Sequence, residues 1–277
     1  MRPEMLDKLN RVREGALARG VPAAEVERWL AAARPCATLA VNADGPVVGR
    51  IGGPVLHPAG TPRPREVLEP IATLDLGALP EDATGLPLPR TGRLHLLAAY
   101  NSEDWDAFGT AVYLPADAPI QEHPFDHEAR HATWEGLTAP LEGELRLAYD
   151  VSLPDNEVLY DPAEHPHAEE LRAAWSEVRY ADWCRLDGMR LQIGGYSTDS
   201  YGEDDPITAA ARAAARAAGE PEGPRASPWE RPRPEDWALL AQWSGSIGGF
   251  VYWLMARRDA AAGRFDRNMV LGFFEGP

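Results

Sequence analysis

The stretch WALLAQWSGSIGGFVYWLM, Trp237 to Met255, holds two dense apolar runs. They are Trp237 to Trp243 and Phe250 to Met255, joined by Ser244-Gly245-Ser246-Ile247-Gly248-Gly249. Runs of this length, rich in aromatics and broken by Gly and Ser, predict two buried strands of a hairpin. Each run is short for a buried helix, and the glycine pair would interrupt a longer one. A looser copy lies near the front of the chain, where Pro70 to Leu76 is an apolar run and Gly92 to Tyr100 follows after a Pro-rich loop. Each pair of runs is preceded by Ile-Gly-Gly: Ile51-Gly52-Gly53 in front, Ile193-Gly194-Gly195 behind. The order Gly-Gly, strand, Gly, strand occurs twice, which points to an internal duplication.

Outward from the hairpin, Met269 to Phe274 reads as a last strand and Arg257 to Gly263 as a short helix or turn. Ile207 to Ala218 is an Ala-rich helix closed by Gly219. Met189 to Ile193 is a strand entering the second glycine pair, and His167 to Trp183 a helix. From Glu144 to Leu153 apolar and polar residues alternate, with Leu145, Leu147, Tyr149, Val151 and Leu153 inward and Asp150 and Ser152 on a wet outer face. Gly49 to Pro89 is loop-rich with one strand, Ile71 to Leu76; Gly109 to Leu114 is another strand. At the front, residues 4 to 19 and 22 to 34 have helical spacing and form a hairpin of helices, followed by a strand from Cys36 to Val41. The expectation is an α+β fold of mostly antiparallel strands in two internally related halves. Residues 1–35 form an N-terminal helical cap; residues 36–277 form the main unit, with halves of about 36–153 and 186–277 and a helical connection between them.

The 277 residues carry a net charge of −16, which disfavours a basic face for nucleic acid and allows an acidic face toward a basic protein partner. Lys8 is the only lysine among 27 lysines and arginines. A phosphate-binding loop ending in Gly-Lys-Ser/Thr is therefore absent. A Schiff-base enzyme would have to use Lys8, which reads as lying on a polar helix without the desolvation such a lysine needs. Cys36 and Cys184 form no zinc pattern or disulfide framework, and Cys184 after Trp183 is expected to pack as a small hydrophobe. The charged start MRPEMLDKLNRVREGA does not read as a signal peptide, and no apolar run approaches the ~20 residues of a membrane span. A cytoplasmic protein is the expectation.

The repeated pieces resemble the YwqG-like family, a bacterial family of unknown function. The resemblance is carried by Ile51-Gly52-Gly53-Pro54, Glu69 to Leu76, Leu88 to Leu94, Ile193-Gly194-Gly195-Tyr196, Trp237 to Gln242, Gly248 to Leu254 and Gly263 to Asp266. It covers residues 49 to 275 and is poor from 115 to 185. The family tends to have Gln at the position of Thr73, whereas Gln242 keeps it in the second half. It also tends to follow its second Gly-Gly-Tyr with a proline, where this chain has Ser197. The resemblance implies an α+β fold with antiparallel strands and a role as an immunity protein against secreted toxins.

Two constellations carry candidate chemistry. In His127-Glu128-Ala129-Arg130-His131, helical spacing would put both imidazoles on one face to hold zinc, with Glu128 polarising a bound water. His123 would add a third imidazole one turn earlier. This is a metal-dependent hydrolase, with zinc as its cofactor. Its flanks, Asp126, Arg130 and Glu135, are charged where zinc-peptidase helices are apolar, and Pro124 restricts the helix start. The other constellation is a cleft between the two halves, reached from the polar loop after the second glycine pair. Tyr196, Ser197, Asp199, Gln242 and Trp243 are its residues, and it needs no cofactor. Gly-x-Ser-x-Gly is absent, because Gly195-Tyr196-Ser197-Thr198 continues with Asp199. The preferred reading is a non-enzymatic module that binds a protein or a small ligand.

Overall fold

The computed structural model describes residues 1–65, 68–101, 106–125, 142–155, 163, 165–186, 190–198, 205–217, 234–246 and 249–274. The first two helices, α1 (Pro3–Ala18) and α2 (Ala23–Leu30), form the expected hairpin around Gly20, whose φ is +83°. With α3 (Ala168–Arg185) they bury one apolar cluster, which includes Met5, Val12, Val26, Trp29, Leu171 and Trp175. The N-terminus of α3 is capped from a distance: the carboxylate of Glu25 on α2 accepts the His167 backbone N–H at 3.0 Å and lies 2.7 Å from His167 Nδ1. Burial would raise the Glu25 carboxyl, but these His167 contacts outweigh it and hold it below its ordinary range.

The described residues hold twelve strands, in chain order β1 (Arg34–Ala40), β2 (Val47–Ile51), β3 (Val55–Pro58), β4 (Glu69–Asp75), β5 (Arg93–Asn101), β6 (Asp106–Leu114), β7 (Ile120–His123), β8 (Gly143–Ser152), β9 (Arg190–Ile193), β10 (Trp237–Ser246), β11 (Gly249–Ala256) and β12 (Met269–Phe274). Ten of them build one antiparallel sheet in the order β12-β11-β10-β9-β1-β8-β2-β4-β5-β6. β3 and β7 pair separately. The order is symmetric about the central β1–β8 ladder. Outward from β8 run β2, β4, β5 and β6; outward from β1 run β9, β10, β11 and β12. Each arm begins with the short strand that precedes a glycine pair, and all four of those glycines have positive φ. The strand order of the sheet thus has the same twofold arrangement as the repeated glycine pairs.

The sheet curls until its two outer strands meet. The Gly272 N–H of β12 donates to the Asp106 carboxylate of β6 at 2.8 Å, and the Asn268 amide reaches the Thr110 hydroxyl at 3.4 Å. The enclosed face carries the main core, including Leu39, Leu74, Leu94, Leu147, Ile193, Val251 and Trp253. Trp253, fully buried on β11, donates its indole N–H to the carbonyls of Leu97 (3.3 Å) and Thr110 (3.2 Å) in the opposite arm. The outer face is covered by α1 and α3 over the middle strands. Over β10 and β11 it is covered by α4 (Pro206–Ala217), which packs Ile207, Ala210 and Ala211 against Leu239, Tyr252 and Leu254. A short helix α5 (Arg257–Ala261) links β11 to β12. No helix among the described residues is long and apolar enough to cross a membrane.

Several expectations need correction. The loop-rich stretch after Gly49 contains the short strands β2 and β3 besides β4. Asp150 and Ser152 do not face solvent, because α1 and α3 lie over them. Cys184 is exposed rather than packed, whereas Cys36 is buried. His123 does not extend a helix. It ends β7, opposite Val55, with its ring stacked on His57 and the two Nε2 atoms 3.1 Å apart. With Nδ1 of His57 donating to the Pro58 carbonyl, His57 Nε2 accepts the His123 N–H in the neutral pair.

Candidate functional site: a polar cavity under the helical layer

The outer face of the middle strands carries a row of polar side chains in direct register: Thr38 on β1, Gln192 on β9, Gln242 on β10 and Tyr252 on β11. All four are buried. Gln192 turns its amide to the carbonyls of Gly194 and Tyr196, both at 2.9 Å. Gln242 accepts the Thr198 N–H at 2.8 Å, and the Tyr252 hydroxyl donates to the Thr198 carbonyl at 2.6 Å. Ser152 Oγ accepts the Tyr196 N–H at 2.8 Å. That approach needs Gly195, since a Cβ there would lie 2.3 Å from the Ser152 hydroxyl. The segment 194–198 is therefore held at five backbone groups by side chains of the sheet.

The first half repeats the device in altered form. Leu56 stands four residues after Gly52, as Thr198 stands four after Gly194. Its N–H donates to Nε2 of His95 at 3.1 Å, and His95 on β5 pairs with Thr73 on β4 as Tyr252 pairs with Gln242. With Nε2 accepting, the neutral ring carries its proton on Nδ1 and donates it to the Thr73 hydroxyl at 2.9 Å. Burial pushes the His95 pKa down to about 4, against a smaller upward pull from the Ala72 backbone.

Beside the 196–198 segment lies a small cavity of about 10 Å³, lined by Lys8, Asp150, Ser152, Asp155, Trp175, Arg179, Arg190, Gln192 and residues 196 to 198 among others. That volume is the room of roughly one water-sized sphere. Lys8 enters from α1 with its Nζ 2.6 Å from Asp150 and 3.2 Å from Asp182, over the Trp175 ring. Thr38 donates to the other Asp150 oxygen at 2.7 Å. Burial would raise the Asp150 carboxyl; Lys8, Thr38 and the Val151 N–H together outweigh it and hold it below the usual carboxylate range. Asp182 also takes Arg11 and Arg185, and Arg179 pairs with Asp155 at 2.5 Å. Arg190 differs from its neighbours. It is only 8% exposed, and its guanidinium makes no hydrogen bond or ion pair among the described residues. Burial, and next the charge of Arg179, push its pKa down.

Of the residues expected in the cleft, Tyr196 and Ser197 line this cavity and Gln242 supports its wall from behind. Tyr196 is tied down, with its hydroxyl donating to the Ala32 carbonyl at 2.9 Å and its ring under Arg34. Ser197 donates to Asp205, which in turn caps α4 by accepting the Thr208 N–H, both at 2.9 Å. Trp243 is not part of the site: next to Gln242 in a strand, it points to the opposite face and packs in the main core. Asp199 lies outside the described residues, as do His127, Glu128 and His131. Among the described residues no group of three or more His, Cys, Asp and Glu side chains is placed to hold a metal ion. The sequence reading misses Lys8, Asp150, Arg179, Arg190 and Gln192. One signal was available, because Lys8 stands three residues after Met5 and four before Val12, inside the apolar stripe of α1. The chain matches no family model and no curated protein.

Proposed function

We propose that the protein is a non-enzymatic binding module of the YwqG-like type, and that a small ligand enters the polar cavity beside residues 196–198. The observation that carries this reading is the fixed wall of the cavity. Gln192, Gln242, Tyr252 and Ser152 hold the backbone there without a ligand's help, so binding would cost little ordering of the chain. The groups that could react are also engaged within the fold. Lys8 serves two carboxylates, Ser197 donates to Asp205, and burial, with the Asp150 charge next, pushes the Cys36 thiol up, away from the thiolate. Such an arrangement favours holding a ligand over transforming it. The symmetric strand order, with a glycine pair after the first strand of each arm, supports the family reading.

The test is a panel of small metabolites titrated into ¹⁵N-labelled protein. A binder should move the amide resonances of Ser152, Gln192, Tyr196 and Thr198 saturably and be recovered unchanged. A panel that leaves those amides unmoved would remove the binding reading; recovery of a converted product would replace it with an enzymatic one.

A further inference from the structure

We infer that Arg190 anchors a carboxylate, so that the ligand is a small organic acid whose –COO⁻ group enters the cavity while the rest of it stays at the mouth. This rests on the binding reading above and names the chemistry of the ligand. The first support is Arg190 itself. A guanidinium is costly to remove from water and is normally buried only with acceptors around it. Here it is 8% exposed, lines the cavity, and makes no hydrogen bond or ion pair among the described residues. Nε of Arg179, a second guanidinium at the same cavity, is also buried without a hydrogen-bond partner.

The second support is local charge. Lys8, Arg179 and Arg190 line the cavity against Asp150 and Asp155. In a chain with net charge −16 this is a place where cations outnumber carboxylates, and it favours a negative guest. The third support is size. About 10 Å³ receives one oxygen-sized group. With one oxygen inside, a tetrahedral phosphate or sulfate leaves three at the mouth, whereas a planar carboxylate leaves a single oxygen there. Its two oxygens match the planar fork of a guanidinium.

The experiment is thermal unfolding of the full chain at pH 7 and constant ionic strength, with sodium formate or sodium acetate replacing sodium chloride, and sodium phosphate as a further arm. The wild type should gain Tm saturably with formate and acetate and not with phosphate. Arg190→Met should keep its near-ultraviolet circular dichroism and bind formate about tenfold or more weakly, the loss of one charge-assisted hydrogen bond. Arg190→Lys should retain part of the response. Equal Tm in all salts, or a formate response undiminished in Arg190→Met, would overturn the proposal and assign the cavity to a trapped water. Should Arg190→Met not fold, the Arg190 Nε resonance of the wild type carries the test alone: a saturable shift with formate supports the anchor, and no shift overturns it. If carboxylates fail while another compound still moves the amides of residues 196–198, only the carboxylate falls. If no compound moves them, the binding reading falls too.

Discussion

His95 has no charged neighbour among its hydrogen-bond partners, the Leu56 N–H and the Thr73 hydroxyl, and its ring is fully buried. Its folded pKa, about 4, lies below the ordinary 6.5. Below pH 6.5 the unfolded chain therefore takes up a proton that the native state refuses, so stability falls with pH through the window from 6.5 to about 4. The loss amounts to about 3 kcal/mol across the window. Urea unfolding at a series of pH values should show this slope in the wild type and lose it in His95→Gln. The Glu25 and Asp150 carboxyls, both lowered, act in the same direction but at more acidic pH, where they take up protons. A parallel slope in the variant would mean that His95 is not its source. The same scale explains what the sequence hid. Asp150 and Ser152 sit at the polar positions of an alternating strand, and alternation cannot tell water from a second layer of helices. Arg190 is hidden for the same reason. Tyr196, Ser197 and Gln242 were legible because a glycine pair, a following polar loop and a repeated strand mark them from chain neighbours alone.

The elements best marked in the sequence are those that make their own signal. The β10–β11 hairpin, β12, α1, α3 and α4 are long enough for periodicity or an unbroken apolar run. β2, β3 and β7 have five, four and four residues and lie amid glycine and proline, so only their sheet partners define them. The glycine pairs are the most demanding local feature. Gly194 has φ +75°, and a Cβ would meet the Thr84 carbonyl oxygen at 2.4 Å. Gly20 has φ +83° with nothing within 4 Å of a Cβ. Gly194→Ala should therefore cost about 2 kcal/mol or more, through strain and backbone collision. Gly20→Ala should cost about 1 kcal/mol, through strain alone. Chemical denaturation of the two variants compares them directly; equal losses would show that the Thr84 contact carries no weight.

Across the whole molecule, the closing contact is Trp253. Its N–H serves two carbonyls in the far arm of the sheet, and its ring fills the enclosed core. Trp253→Phe keeps most of the apolar volume and leaves those carbonyls without the indole donor. It should lower stability by about 1–3 kcal/mol, read from urea unfolding; an unchanged midpoint would mean that the two arms are held by packing alone. The symmetric strand order was legible because the spacing of glycine pair and strands recurs in sequence. The closure was not, because it joins Asp106 to Gly272, and nothing local in either strand announces the other.

The central position of β1 also sets a timetable for synthesis. Its two ladder partners, β8 and β9, begin at Gly143 and Arg190, more than a hundred residues downstream. While the ribosome adds those residues, β1 has both edges open, whereas β2, β4, β5 and β6 can already pair with one another. The central β1–β8 ladder can form only once Ser152 has been made, after the strands of the first arm and before those of the second, so nascent chains are most exposed to wrong strand pairing during that interval.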